Sequence, residues 1–244
     1  MPEFLQVCKD SGEIDAILLD EFLDLVSRKP DALISIATGQ TYASFLRRLA
    51  SVSLPETLQF THPDEFLGIS PQHPGGMVAE LLALCPHLHK AMEQGRFLAV
   101  PASGEGHQLA DFERMIEDRG GIDLHLLGIG RNGHIAFNEP GTRFLAGYHR
   151  TPLAESTRAD LAPSFAPQEP PDQAVTAGPR SILAAHRIIL CAKGKAKADA
   201  IKLMMSGSVS EAVPASLLRR HDNARLLLDP EAASGLEGET EGMQ

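Results

Sequence analysis

Residues 127–141, LGIGRNGHIAFNEPG, gather the groups that acid–base chemistry on a small molecule needs. Three glycines in the six residues 128–133 make a sharply turned loop whose backbone can approach a ligand closely. His134 sits on that loop, with Asn132 two residues before it and Glu139 five after. A carboxylate beside an imidazole fixes its tautomer and raises its basicity, which makes a general acid/base; without those partners, a loop histidine is merely exposed. Asp64 and Glu65 follow the short run 58–61 as an adjacent acid pair, one of which would face a crevice; the same Pro63-Asp64-Glu65 triplet also suits the first turn of a helix. Thr38-Gly39-Gln40-Thr41 pairs a glycine turn with hydroxyls ahead of a helical pattern at 42–49, a form that serves as an anion site or simply as a turn. Lys195, in 191–197 (CAKGKAK), is a candidate to neutralise a phosphate, or one of a solvated lysine cluster.

The segments just before these groups are short apolar runs at 33–37, 97–100, 124–129, 188–192 and 225–229. Near-continuous apolar runs suit strands buried on both faces. Amphipathic stripes lie between them: Ile14, Ile17, Leu18, Phe22 and Leu25 after a cap at Ser11, and Leu109, Phe112, Met115 and Ile116 before Gly120-Gly121. This alternation predicts a single-domain α/β protein, a doubly wound and mostly parallel sheet flanked by helices. Ligands of such sheets bind beyond the carboxyl ends of the strands, where every candidate group falls. The domain is expected to span 1–229, with an acidic, flexible tail over 230–244; the proline-rich 163–171 is expected to be a loop or flap.

Composition narrows the class. With 244 residues, 43% apolar and 22% charged, the chain can bury a full core without staples. A net charge of −10 opposes general nucleic-acid binding but allows one small anion in a local pocket. Cys8, Cys85 and Cys191 are odd in number and widely spaced, which points to a reduced interior. The N-terminus MPEFLQVCKD lacks a basic region before an apolar core, and no run is long enough to span a membrane, so the expected location is the cytoplasm. His87 and His89 have no third ligand patterned nearby, so no metal site is expected.

The run GIGRNGHIAFNEPG resembles the signature of the glucosamine-6-phosphate deaminase (isomerase) family of amino-sugar phosphate enzymes, relatives of the 6-phosphogluconolactonases. ATGQT resembles its phosphate loop, PDEFLGISPQHP its Asp-Glu-aromatic segment, CAKGKAKADAI its last lysine segment and PASLLRRH its C-terminal helix, in the same order over about residues 30–222. The resemblance implies a Rossmann-like fold and conversion of an amino-sugar 6-phosphate to the ketose 6-phosphate and ammonia, with no metal or organic cofactor. It implies that Asp64 moves a proton between C2 and C1 while Glu65 is structural, and that His134, oriented by Glu139 and Asn132, assists ring opening. Thr38, Gly39, Gln40, Thr41, Gly133 and Lys195 would hold the substrate and its phosphate. The partner is then a small amino-sugar phosphate, with a homo-oligomer possible.

Three departures stand out. Asn132 occupies a position where many members carry Asp. The lid segment has Ala159–Phe165 after Thr157-Arg158, so the family's arginine is missing and Arg158, Arg131 or Arg180 must substitute, with Phe165 as the aromatic. Gly75-Gly76-Met77-Val78 stands where members have a tyrosine-containing segment. Two alternatives stay open: a 6-phosphogluconolactonase-like hydrolase, which FNEP argues against, and a non-catalytic sugar-phosphate sensor, which would need the cradle but not three acid/base groups.

Overall fold

The computed structural model describes residues 4–70 and 72–236. Its strands are β1 (Leu5–Val7), β2 (Leu33–Ile36), β3 (Gln59–Thr61), β4 (Asp64–Phe66), β5 (Phe97–Leu98), β6 (Leu124–Leu127), β7 (His149–Pro152), β8 (Gln173–Thr176), β9 (Ile188–Ala192) and β10 (Ala224–Leu228). The helices are α1 (Ser11–Arg28), α2 (Gln40–Leu49), α3 (Met77–Leu84), α4 (Pro86–Glu93), α5 (Gly106–Glu117), α6 (Glu155–Phe165), α7 (Pro179–Leu183), α8 (Ala198–Met205) and α9 (Pro230–Ala233).

Seven strands form one wholly parallel sheet in the order β1-β10-β9-β6-β2-β3-β5. Alternate residues serve two cores. Leu33, Leu127, Leu190 and Leu226 pack on one face with Leu109, Phe112 and Ile116 of α5. Ile34, Leu126, Ile189 and Leu227 pack on the other with Ile14 and Phe22 of α1 and Phe45 of α2. Each such side chain contributes about 1.5–3 kcal/mol when fully buried, which is why the strands read as near-continuous apolar runs. The doubly wound expectation holds. From β2 the chain proceeds to β3 and β5 on one side, then returns to build β6, β9 and β10 on the other. That reversal opens a crevice beyond the carboxyl ends of β2 and β6.

A second, three-stranded antiparallel sheet in the order β4-β8-β7 was not visible in the sequence pattern. It packs on α3 and α6 through Phe66, Met77, Phe137, Leu153 and Phe165. The expected loop at 163–171 starts later, because α6 runs through Pro163 to Phe165.

The expected tail boundary also moves. Pro230–Ala233 forms α9, capped by Asp229, whose carboxylate accepts the Ala232 N–H at 2.9 Å and the Gly194 N–H at 3.0 and 2.9 Å. Burial of Ala232 and Ala233 holds this first turn to the core; the remainder of the acidic tail, 237–244, lies outside the described residues. Cys8, Cys85 and Cys191 are buried free thiols. Among the described residues no helix is long and apolar enough to cross a membrane.

Candidate active site

The strand order lines up the candidate segments along one edge of the parallel sheet. Residues 195–197 follow β9, residues 128–134 follow β6, residues 38–41 follow β2, and Asp64 follows β3. The β6 and β2 loops touch: a Cβ on Gly128 would lie 3.9 Å from Thr41 Oγ1.

The loop after β6 is wound tightly. Gly130 N–H donates to the His134 carbonyl at 2.9 Å, and Gly133 N–H donates to the Gly130 carbonyl at 3.0 Å. A Cβ on Gly130 would sit 2.3 Å from both Cε1 and Nε2 of His134, so the imidazole can lie against this backbone only because residue 130 is glycine. Gly133 has φ +86, a left-handed value that favours glycine, and a Cβ there would lie 2.9 Å from Val213 Cγ1. Its place is therefore structural support for the loop.

His134 and Glu139 are exposed by 17% and 14%, and His134 Nδ1 lies 3.4 Å from Glu139 Oε2. Asn132 bridges the two residues: its Nδ2 donates to Glu139 Oε2 at 2.6 Å, and its Oδ1 accepts the His134 N–H at 3.2 Å. An aspartate at 132 could not donate to Glu139 unless protonated, which gives the Asn departure a physical reason. Thr157 of α6 completes the set, its Oγ1 donating to Glu139 Oε1 at 2.7 Å. Burial opposes ionisation of Glu139, yet His134, Thr157 and Asn132 together hold its carboxyl down to about 2. An ionised Glu139 favours the proton on Nδ1 of His134 and leaves Nε2 as the acceptor.

Asp64 and Glu65 begin β4 and point to different surroundings. Glu65 is the structural partner: Oε1 accepts the N–H groups of Phe66 at 2.9 Å and Met77 at 3.0 Å, and Oε2 accepts that of Val78 at 3.0 Å. It thereby caps the N-terminus of α3 from a distance, whereas the first-turn reading of Pro63-Asp64-Glu65 is overturned, because Asp64 and Glu65 lie in strand β4. The Asp64 carboxylate accepts no hydrogen bond among the described residues and is only 6% exposed. Burial, reinforced by the nearby Glu65 carboxylate, pushes its carboxyl up to about 8.

Thr176 connects the two halves of the site, a part the sequence did not single out. It pairs with Asp64 across β4 and β8, and its Oγ1 accepts the Phe137 N–H of the histidine loop at 3.0 Å. Ala177 N–H donates to the Pro63 carbonyl at 2.7 Å, and the Ala177 carbonyl accepts from Asn138 Nδ2 at 2.7 Å. One strand end therefore holds both the Asp64 strand and the His134 loop.

At the other end of the crevice, Gly39 (φ +97) caps α2 and donates its N–H to Glu80 Oε1 at 3.1 Å. Thr38 Oγ1 is turned to Met77 Sδ. The N–H groups of Gln40 and Thr41 have no partner among the described residues. Lys195, expected on the phosphate, is exposed, and its backbone N–H donates to Glu231 Oε2 at 3.3 Å. Lys197, two residues on in the 3-10 turn 195–197 and so on a different side of it, is half-buried. Burial lowers the proton affinity of Lys197, Asp160 raises it and Arg131 lowers it, so both lie within its field.

Of the three arginines able to replace the missing one, Arg158 faces Glu169 at 3.5 Å and Arg180 is held by Glu113 at 3.1 and 3.2 Å. Arg131 alone stands on the histidine loop, beside Lys197. Phe165 lies where the lid aromatic was expected, stacked on His73 at 5.7 Å and edge-on to Phe66 at 5.1 Å. A Cβ on Gly75 would meet its ring at 3.1 Å, so Gly75 gives the lid room to close down. No group of three metal-ligating side chains occurs among the described residues, and His89 pairs with Glu93 at 3.6 Å.

Comparison with known proteins identifies the family. A family profile described as glucosamine-6-phosphate isomerases/6-phosphogluconolactonase matches residues 13–227. The glucosamine-6-phosphate deaminase of Hahella chejuensis is 38% identical, with 95% of this chain and 91% of that protein covered. That of Bacillus velezensis is 34% identical, covering 93% and 98% respectively. A solved monomeric glucosamine-6-phosphate deaminase superposes with a TM-score of 0.88 at 32% identity, over 96% of this chain and all (100%) of that one. The 6-phosphogluconolactonase of Trypanosoma cruzi shares the fold, with a TM-score of 0.76 at 17% identity over 96% of each chain. Matched over most of its length by profile, sequence and structure, the chain belongs to the family of glucosamine-6-phosphate isomerases and 6-phosphogluconolactonases.

Proposed function

We propose that the protein is an amino-sugar 6-phosphate deaminase, converting glucosamine 6-phosphate or its galactosamine epimer to the ketose 6-phosphate and ammonia. The observation that carries the proposal is Asp64: a nearly buried, unpartnered carboxylate whose strand is tied through Thr176 to the loop bearing His134, Glu139 and Asn132. A lactone hydrolase has no carbon-bound proton to move and needs no such base.

His134 opens the ring, its Nε2 taking the C1 hydroxyl proton and returning a proton to the ring oxygen, while Glu139 supports the transient imidazolium. Asp64 then removes the proton from C2 of the open aldose, leaving an enolamine, and delivers a proton to C1 to give the C2 imine. Water adds to that imine and ammonia leaves, so the nitrogen lost equals the ketone gained. A carboxyl raised to about 8 suits this step, being a stronger base than an ordinary aspartate and still an acid near neutrality. The N–H groups of Gln40 and Thr41, with Lys197 in place of Lys195, hold the phosphate, so remote binding energy positions C1 and C2 at Asp64.

The test is ammonia release from glucosamine 6-phosphate and from galactosamine 6-phosphate, each with the wild-type protein and with Asp64→Asn. The expected result is turnover of one epimer that falls by at least about 10³-fold in the variant. Turnover of neither would remove the proposal.

A further inference from the structure

Two carboxylates stand at the phosphate end of the crevice with no part in the deamination chemistry. Asp160, on α6, accepts from Arg131 Nε at 3.1 Å and from Nη2 of the same guanidinium, a two-pronged pair. Glu80, on α3, accepts the Gly39 N–H at 3.1 Å. Resting on the phosphate-end assignment above, we propose that Asp160 sets the phosphate affinity of this protein by competing with the substrate phosphate for Arg131, and that Glu80 does the same at Gly39.

Arg131 is taken to replace the arginine missing from the lid because it stands on the histidine loop with Lys197 in its field; like Arg158 and Arg180 it is paired with a carboxylate, here Asp160. A guanidinium grips phosphate through a paired edge of N–H groups, and Asp160 already fills the Nε–Nη2 edge of Arg131. Lys197 lies in the field of both, so the cluster is two cations and one carboxylate sharing one small region. A phosphate dianion entering it trades the carboxylate–guanidinium pair for a phosphate–guanidinium pair and meets like-charge repulsion from Asp160. The exchange also frees α6 from the histidine loop at this point, while the Thr157–Glu139 hydrogen bond still holds it at the other. Asp160 is thus a specificity-determining residue, weighting the site against phosphate in proportion to the strength of its pair with Arg131. The pair is half exposed, 54% for Arg131 and 55% for Asp160, so exchange requires no unfolding.

The experiment is calorimetric titration of inorganic phosphate and of glucose 6-phosphate onto the full-length protein at constant ionic strength, for wild type, Asp160→Asn, Glu80→Gln, Arg131→Gln and the Asp160→Asn/Arg131→Gln double variant. Binding is read without turnover, so the result stands whether or not ammonia is released. Asp160→Asn is expected to tighten both ligands by about 5–10-fold and Glu80→Gln by about 2–5-fold, the range of a lost partly exposed charge competitor. Arg131→Gln is expected to weaken both, and the double variant to match Arg131→Gln alone, because Asp160 acts only through Arg131. Unchanged or weaker binding by Asp160→Asn would overturn the proposal, the weaker case showing that Asp160 orients Arg131 instead. Equal binding by wild type and Arg131→Gln would overturn it as well. Absence of binding by every variant would reject the phosphate-end assignment itself.

Discussion

Asp64 carries a cost in the folded chain that its neighbours do not relieve. Its proton leaves near 3.8 when the chain is unfolded and near 8 when it is folded, chiefly because burial disfavours the charged form. Between those values the native state holds more protons than the unfolded state, so this residue makes stability fall as pH rises from about 4 to about 8. Asparagine cannot ionise and escapes the penalty. Asp64→Asn should therefore be inactive yet more stable than wild type at pH 8–9, by about 1–2 kcal/mol or about 3–6 °C in Tm, with the gap closing by pH 4–5. Thermal unfolding of both proteins across that range checks the sign; a variant that is less stable at pH 9 would contradict it. Residue types alone pointed to Asp64, His134, Glu139 and Asn132. The division of labour between Asp64 and Glu65 came only with the resemblance, and its physical ground is that the N–H groups of Met77 and Val78 claim the second acid alone.

At the scale of the element, position depends on short pieces of chain. Glu65 fixes the start of α3 by accepting three backbone N–H groups, and a glutamine there keeps an acceptor but loses the charge. Glu65→Gln should cost about 1–2 kcal/mol, measured by denaturant unfolding, and should loosen the Phe66–Phe165 contact under the lid. The 3-10 turn after β9 makes a sharper prediction. Lys197→Ala should raise KM for the sugar phosphate by about 10-fold or more with a smaller change in kcat, whereas Lys195→Ala should leave both within about 2-fold. Steady-state kinetics of the two variants separates the half-buried lysine from the exposed one.

The five apolar runs were legible as strands because two-sided burial leaves them few polar positions, Ser35 and His125 among them. β4, β7 and β8 were not, since a three-residue strand reading Asp-Glu-Phe looks like a helix start and becomes a strand only by pairing with residues 174–176, more than a hundred positions away. The KGKAK run led to Lys195 for a related reason: composition asks for a lysine without saying which, and the half-burial of Lys197 shows only in the fold.

Taken whole, the molecule has two sheets that divide the chemistry. On the proposed function, the parallel sheet supplies the phosphate loop, the lysine turn and the histidine loop, and the small antiparallel sheet carries Asp64, the proposed carbon base. Thr176 and Ala177 hold the two together where β8 ends. A parallel sheet with its crevice at the strand reversal could be foreseen from alternation of runs and stripes; the sheet that places Asp64 could not, because nothing local specifies it. The central claim is that Asp64 carries a proton between two carbons of an amino sugar whose ring His134 has opened. Substrate deuterated at C2 tests it most directly, with product followed by NMR. The expected result is loss of deuterium from C2, with part of it recovered at C1 of the ketose phosphate by wild type, and neither transfer nor ammonia with Asp64→Asn. Deuterium appearing at C1 at the wild-type rate in Asp64→Asn would contradict the assignment of the carbon base.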